Sequence, residues 1–366
     1  MFARWRAHLL QWTTIVPVVA LIALALTWGR TAPWPLLAFE AALLIATVMA
    51  AVHHAEVIAH RIGEPYGSLV LAVAVTVIEV GLIVMLMLGG KGDTSTLARD
   101  TVFSAVMLTM NGIVGLALFV GASKYHLAVF NPEGTGSALG TVIVLVTLTL
   151  VLPDFTTSVR GGSFSGGQLG FIAVVSLLLY GSFVFTQTIR HRDFFLPPGE
   201  TDDVDEDGPH AAPPSVRVTM LSTVLLLIAL VAVVGLAKVE SPAISAGVTW
   251  AGFPESFVGV ILAIVVLAPE SIAAYRAASR DRTQIALNLG YGSALASIGL
   301  TIPTMAILSH WLPGPLTLGL GPLQIALLVT SAIVSVLTVV PGRAKTQHAT
   351  IHLVLLAVFL FLSARP

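Results

Sequence analysis

Long apolar runs, separated by short polar connections, occupy almost the whole chain. Eleven of them are long enough to cross a membrane as helices, and they cover residues 10–29, 34–55, 66–90, 101–122, 137–153, 168–188, 216–237, 257–279, 283–309, 322–340 and 347–363. A hydrocarbon core about 30 Å thick takes roughly 20 residues of helix to cross. The runs are apolar on all faces and much longer than the roughly 10 alternating residues of a barrel strand. The pattern therefore predicts an all-α polytopic membrane protein with about 11 transmembrane helices.

The composition excludes several classes of protein. Of the 366 residues, 56% are hydrophobic and 10% are charged, whereas roughly 25% of an ordinary soluble domain is charged. A net charge of −1 provides no basic surface for nucleic acid, and the lack of cysteine excludes disulfides and thiolate metal sites. Arg4 and Arg6 precede the first apolar run, and no small-x-small cleavage pattern follows it. The first run is therefore predicted to be a retained span and not a signal peptide.

Lysine and arginine are distributed unequally between the two sides of the predicted spans. Twelve lie on the side of the N-terminus and six on the opposite side. Because positively charged loops are retained in the cytoplasm, this bias predicts a cytoplasmic N-terminus. With an odd number of spans, the C-terminus is predicted to lie outside.

The chain divides near its middle at its longest connection. The predicted organisation is an N-terminal end with the first helix, 1–33, a first repeat half, 34–188, an acidic cytoplasmic linker, 189–215, and a second repeat half, 216–366. The acidic run in the linker is interpreted as solvated and disordered, with a calcium-sensing or cation-attracting role as the alternative. The run DVDEDG resembles the first half of an EF-hand loop, but Pro214 stands where a bidentate glutamate is needed, which excludes a true EF-hand.

An internal repeat relates the two halves. Residues 64–79, EPYGSLVLAVAVTVIE, align with residues 255–270, ESFVGVILAIVVLAPE, at an offset of 191. Both segments begin and end with glutamate and carry an aromatic residue at the third position. They belong to the third and eighth spans, which are five spans apart and so cross the membrane in opposite directions. This is the inverted-repeat plan of secondary transporters, with the first span outside two inverted five-helix repeats.

Glu79 and Glu270 are the candidate cation-binding and proton-binding groups. Each lies near the centre of its span, where a lone carboxylate costs roughly 2.5–3.5 kcal/mol. No lysine or arginine occurs in the core of any span, so each glutamate must be protonated or must face a cation. Such a group can exchange a proton for a metal cation. The alternative is that both are permanently neutral acids hydrogen-bonded to helix hydroxyls.

Weaker candidates surround these glutamates. Thr76, Asn111 and Ser293 are auxiliary ligand candidates, although polar and small residues in spans more often mediate helix packing. Pro269 precedes Glu270 and frees a backbone carbonyl one turn earlier. Three further groups lie towards the ends of the second span: Glu40 could snorkel or take part in transport, and His54 and His60 are either interfacial or pH-sensing. No HExxH, GxSxG or P-loop motif is present, which argues against a hydrolase or an ATP-driven pump.

Three segments carry a resemblance to a known family: HAEVIAHRIGEPYGSLVLAVAVTVIEV, LAPESIAAYRAASRDR and NLGYGSALASIGLTIP. Together with the acidic loop between the halves, they resemble the calcium/cation antiporter superfamily, and most closely its bacterial ChaA-type calcium/sodium/potassium:proton antiporters. The resemblance covers essentially the whole chain. It implies that Glu79 and Glu270 bind the cation and take the proton, with no cofactor beyond the transported Ca²⁺, Na⁺ or K⁺.

The chain departs from the Gly-Asn-x-x-Glu signature of that superfamily. The Gly-Asn positions are Val75 and Thr76 in one repeat and Val266 and Leu267 in the other, and Ala296 replaces a glutamine ligand of many relatives. These departures remove uncharged oxygen ligands. Since Ca²⁺ takes 6–8 oxygens, the departures make Na⁺ or K⁺ plausible substrates.

The sequence thus leads to one hypothesis and two alternatives. We expect a bacterial inner-membrane antiporter, not an enzyme, that exports a metal cation and imports protons, with its C-terminus in the periplasm. Its expected partners are the transported cations, protons and the lipid bilayer, with no nucleic acid, and a homo-oligomer is left open. The alternatives are an intramembrane enzyme and a non-transporting subunit of an ion-translocating complex.

Overall fold

Eleven helices account for most of the residues that the structure describes. The computed structural model describes residues 11–29, 33–64, 66–89, 94–199, 213–312 and 314–366. The helices are α1 (Trp12–Thr27), α2 (Trp34–Ile62), α3 (Tyr66–Gly89), α4 (Leu97–Tyr125), α5 (Pro132–Phe155), α6 (Gly166–Arg190), α7 (Val216–Trp250), α8 (Phe257–Ala278), α9 (Thr283–Leu308), α10 (Pro322–Val339) and α11 (Thr346–Ala364). Arg4, Arg6 and the acidic run of the linker lie outside the described residues.

The predicted all-α polytopic class is confirmed. Among the helices of the described residues, ten are long and apolar enough to cross a membrane, and α1 is a shorter apolar helix of 16 residues. Several helices present large apolar side chains on their outer faces, and Trp34, Trp250 and Trp311 are exposed at or near helix ends. Exposed aliphatic faces with tryptophan near the ends of the helices are typical of contact with lipid and its interface.

The helix bounds agree with the apolar runs except where packing extends a helix. The second helix continues seven residues past residue 55, through Ile62, and the seventh continues from residue 237 to Trp250. The extension of α7 contains Pro242 and small residues, so its apolar signal is weak. Helices in proteins are stabilised mainly by tertiary packing, which explains why α7 extends beyond the strongly apolar part of its sequence.

Four helices contain a wider π-helical turn. These turns are Leu108–Ile113 in α4, Thr147–Val151 in α5, Thr186–Arg190 in α6 and Ser297–Thr301 in α9. Short 3₁₀ turns, Leu152–Phe155 and Arg192–Phe195, end α5 and follow α6. The two strands, β1 (Ala128–Val129) and β2 (Arg343–Ala344), form one antiparallel ladder.

The helices form two compact units. The first consists of α1, α2, α3 and α7. In it α7 packs against each of the other three, and α2 also packs against α1 and α3. Small residues permit the close approach: a Cβ at Gly235 would clash with the Leu24 side chain, and one at Gly81 would clash with Val234. Close packing through glycine is a usual way to join helices in lipid, where burial of apolar surface between helices gains little.

The second unit consists of α4, α5, α6 and α8 to α11. Here α8 packs against α4 and α9, and a Cβ at Gly259 would lie 2.7 Å from the backbone carbonyl carbon of Asp100. An alanine-rich cluster that includes Ala105, Ala263 and Ala286 fills this interface. The two units are defined by helix packing and not by position in the sequence. The predicted division of the chain into two repeat halves therefore stays a prediction.

Candidate cation and proton site

Glu79 and Glu270 occupy the same position in their respective helices. Helix α3 begins at Tyr66 and α8 begins at Phe257, the residues that the repeat aligns, and each glutamate is the fourteenth residue of its helix. At about 1.5 Å per residue, each lies about 20 Å along the helix. Both carboxyl groups are therefore placed at mid-depth of apolar helices.

Glu79 is enclosed within the first unit. It is 2% exposed, and Thr76, one turn earlier, is buried as well. Residues three apart share a helix face, so the two side chains lie on the same side of α3. The Thr76 hydroxyl donates to the Ala72 carbonyl at 2.8 Å. Its hydrogen is therefore committed to the helix, while its oxygen retains lone pairs that could contact a cation.

Glu270 has a different local structure in the second unit. Its side chain is half-buried, and Pro269 lies inside the continuous helix α8. A proline has no N–H, so the Val265 carbonyl, four residues before it, lacks its usual helical donor. One turn before Glu270, Leu267 is buried and provides no side-chain oxygen. Helix α8 thus offers a carboxylate and a backbone oxygen.

Asn111 lies in a fully buried polar network of the second unit. Its Nδ2 donates to Ser331 Oγ at 2.9 Å, and its Oδ1 lies 3.3 Å from His352 Nδ1. His352 Nε2 lies 3.2 Å from Thr338 Oγ1. Since Asn111 Oδ1 accepts, His352 Nδ1 donates, and Nε2 can accept from the threonine hydroxyl. The carboxamide of Asn111 therefore joins α4 to α10 and α11.

The sequence did not point to His352 or Ser331 as partners of Asn111. The one sequence signal for this network is Asn111 itself, an isolated polar residue within an apolar span.

Asn111 belongs to the π-helical turn of α4, and α9 contains a similar turn close to Ser293, which is half-buried. Turns of this kind often occur at functional sites. They lie in the two helices that directly follow α3 and α8.

The structure places His54 and His60 in different surroundings. His54 is buried, with Nε2 2.9 Å from the Thr13 carbonyl oxygen and Nδ1 3.3 Å from Ser222 Oγ. Nε2 must donate to the carbonyl, and Nδ1 can accept from the serine, so the neutral ring is fully hydrogen-bonded. His54 thus joins α1, α2 and α7 within the first unit. His60 is exposed near the end of α2.

Glu40 does not snorkel to the surface. It is 0% exposed on α2, and its carboxyl group is within hydrogen-bonding reach of Glu240 on α7. The apolar run of the seventh span ends at residue 237 and so does not include Glu240, which the longer helix α7 contains. A fully buried acid in an apolar unit is costly.

Comparison with known proteins identifies close similarity over the whole chain. A profile of the family described as sodium/calcium exchanger protein matches residues 12–189 and 221–365. The chain is 41% identical over 363 residues to a Sinorhizobium fredii protein named as an ionic transporter, y4hA, covering 98% of each chain. It is 34% identical over 351 residues to the sodium-potassium/proton antiporter ChaA of Escherichia coli (strain K12), covering 94% of each.

The fold has a counterpart of known structure. The crystal structure of the H⁺/Ca²⁺ exchanger CAX superimposes with a TM-score of 0.72 at 16% sequence identity, covering 99% of this chain and 94% of that one. At this level of identity the similarity establishes the fold.

Proposed function

The chain belongs to the sodium/calcium exchanger protein family, and from this premise we propose that it exchanges a metal cation for protons across the bacterial inner membrane, using Glu79 and Glu270. Membership of the family makes it a multi-pass membrane transporter and not an enzyme. The proposal adds the cation, the protons and the two residues. It also includes a cytoplasmic N-terminus and a periplasmic C-terminus, based on the distribution of lysine and arginine.

The observation that carries this proposal is the shared helical position of the two glutamates. A carboxylate at mid-depth of a membrane helix is costly and points to a functional role, and here two of them occupy aligned positions. Either a proton or a metal cation can neutralise a carboxylate, so the two ligands compete for it. Protons entering from outside displace the outgoing cation, and two carboxylates accommodate up to two protons per cycle.

The oxygen ligands near the glutamates support a monovalent substrate. Thr76 can contribute a hydroxyl oxygen and Val265 a carbonyl oxygen, whereas Val266 and Leu267 contribute no side-chain oxygen. The Asn111 amide is held by Ser331 and His352. Ca²⁺ takes 6–8 oxygens. We therefore propose Na⁺ or K⁺ as the preferred cation, with Ca²⁺ a weaker substrate.

Reconstitution into liposomes tests the proposal. Purified protein in vesicles that contain a pH-sensitive dye is exposed to Na⁺, K⁺ or Ca²⁺ in turn. We expect Na⁺ or K⁺ to drive proton movement, and Glu79→Gln and Glu270→Gln to abolish it. Glu255→Gln removes an exposed acid just before α8 and serves as the matched control. Proton movement that survives both site variants would show that other groups carry the ions. A chain that moves no protons with any cation would support the non-transporting subunit instead.

A further inference from the structure

The first unit contains a pair of buried acids that the exchange mechanism does not use. Glu40 of α2 and Glu240 of α7 are 0% and 2% exposed. The two helices pack against each other, and the carboxyl groups are within hydrogen-bonding reach. Two acidic side chains from different helices therefore meet away from solvent.

Among the residues that the structure describes, neither acid has a cationic partner. The ion pair between Arg99 and Asp100 lies in the second unit. Lys238 is exposed and lies 4.9 Å from the centre of the Trp28 ring. Both oxygens of Glu40 and Oε1 of Glu240 are buried without a hydrogen-bond donor in the described part of the chain.

Apart from the exposed Lys238, the other titratable groups on the helices of this unit lie far from the pair along the helix axes. The described helix α1 contains none. His53 is thirteen residues from Glu40 along α2, or about 20 Å. Beyond it on α2 lie His54, Glu56, His60 and Arg61. Arg217 lies at the opposite end of α7, and Tyr66 lies at the start of α3.

Glu79 is also separate from the pair. Gly89, at the end of α3, packs against the Ser241 side chain, next to Glu240. Glu79 is ten residues before Gly89, so it lies about 15 Å along α3 from the level of the pair. The pair is therefore a distinct feature of the unit.

Two ionised carboxylates cannot form a hydrogen bond with each other, since both groups only accept. Like charges in contact, away from water, also disfavour double ionisation, and such acids titrate as a pair. One proton between them supplies the missing donor and removes one charge. The hydrogen bond between the two carboxyl groups therefore depends on that proton.

We propose that Glu40 and Glu240 form a second proton-binding site, apart from Glu79 and Glu270, in which one proton is shared between α2 and α7. The proton joins the two helices, and its loss leaves two anions facing each other within the packed unit. Because the two carboxyl groups face each other only in the folded chain, repulsion after loss of the proton destabilises the folded state, and its stability is expected to fall at alkaline pH.

Infrared spectroscopy can count the shared proton directly. The full chain is prepared with E79Q and E270Q, so that the proposed transport groups do not contribute to the carbonyl-stretch band of protonated carboxylic acids. Adding E40Q and E240Q together should remove the signal of one protonated carboxyl group per chain at neutral pH, and adding E255Q should remove none. Loss of two groups, or of none, would overturn a shared proton. The count is independent of whether Glu79 and Glu270 transport ions.

A second measurement covers the case in which the fourfold variant does not fold. E240Q alone removes one acid of the pair and keeps the shape of the side chain. In the chain that carries E79Q and E270Q, adding E240Q should shift the pH midpoint at which the protonated-carboxyl signal is lost, and the alkaline decrease in the thermal unfolding midpoint should become shallower. An unchanged titration midpoint together with an unchanged pH dependence of unfolding would overturn the proposal.

Discussion

Helices α3 and α8 carry the same acid at the same position but surround it differently. Glu79 is enclosed in a regular helix, one turn after the Thr76 hydroxyl. Glu270 is half-buried and follows Pro269, with the apolar Leu267 at the position that the repeat aligns with Thr76. The two copies therefore retain the charged group and differ in the source of neutral oxygen, which is a side chain in α3 and the backbone in α8. In the proposed exchange, the acid would be the shared requirement, and the auxiliary oxygens would differ between the copies.

Removing either acid should have the largest effect. We expect Glu79→Gln and Glu270→Gln each to reduce cation-driven proton movement in liposomes by at least about 100-fold, or about 2.7 kcal/mol, because the amide can no longer alternate between proton and cation. If the copies are equivalent, the two losses should be similar. A large loss for one variant and normal exchange for the other would show that a single carboxylate carries the reaction.

Replacing Pro269 should weaken the α8 copy alone. Pro269→Ala restores an N–H that can donate to the Val265 carbonyl and so withdraws this oxygen from a cation. We expect the apparent cation affinity, measured from the concentration dependence of exchange, to fall by roughly 10-fold, or about 1.4 kcal/mol. The control is Pro17→Ala, which replaces the proline inside α1 and should leave the affinity unchanged. Equal effects of the two variants would indicate a general change in helix flexibility.

Changing Thr76 should weaken the α3 copy by a smaller amount. Thr76→Val keeps the shape and removes the oxygen, and a net loss of about 1 kcal/mol corresponds to roughly a fivefold lower cation affinity. Thr76→Ser keeps the hydroxyl and should retain the original affinity. If the serine variant is as weak as the valine variant, packing of the threonine methyl group and not its oxygen is the important property.

Changing Asn111 should have the smallest effect on exchange and a clear effect on stability. Asn111→Ala leaves Ser331 and His352 without their buried partner, and hydrogen bonds between membrane helices contribute about 0.6–1.7 kcal/mol each. We expect a lower thermal unfolding midpoint, with the cation affinity of the remaining folded protein within about twofold of the original. Asn111→Asp keeps an acceptor for His352 and is the comparison variant. A large loss of affinity without a loss of stability would instead identify Asn111 as a ligand.

The apolar runs predicted the helices well because crossing lipid imposes a length and a composition on every span. They failed at the end of α7, where ESPAISAGVTW is too polar and too rich in small residues to stand out. That segment is helical because it continues a packed helix, and the error hid Glu240. In the same way, Asn111 was identified as a polar residue within a span, but its partners on α10 and α11 are more than 200 residues away in the sequence.

The sequence by itself determined the membrane class, most of the extent of the helices and the matching positions of Glu79 and Glu270, since each of these follows from local composition or from a repeat. The tertiary structure decided which polar groups meet. It paired Glu40 with Glu240, gave His54 two partners and committed Asn111 to a buried network. A polar side chain in lipid must find a partner, and the identity of that partner depends on how distant helices pack.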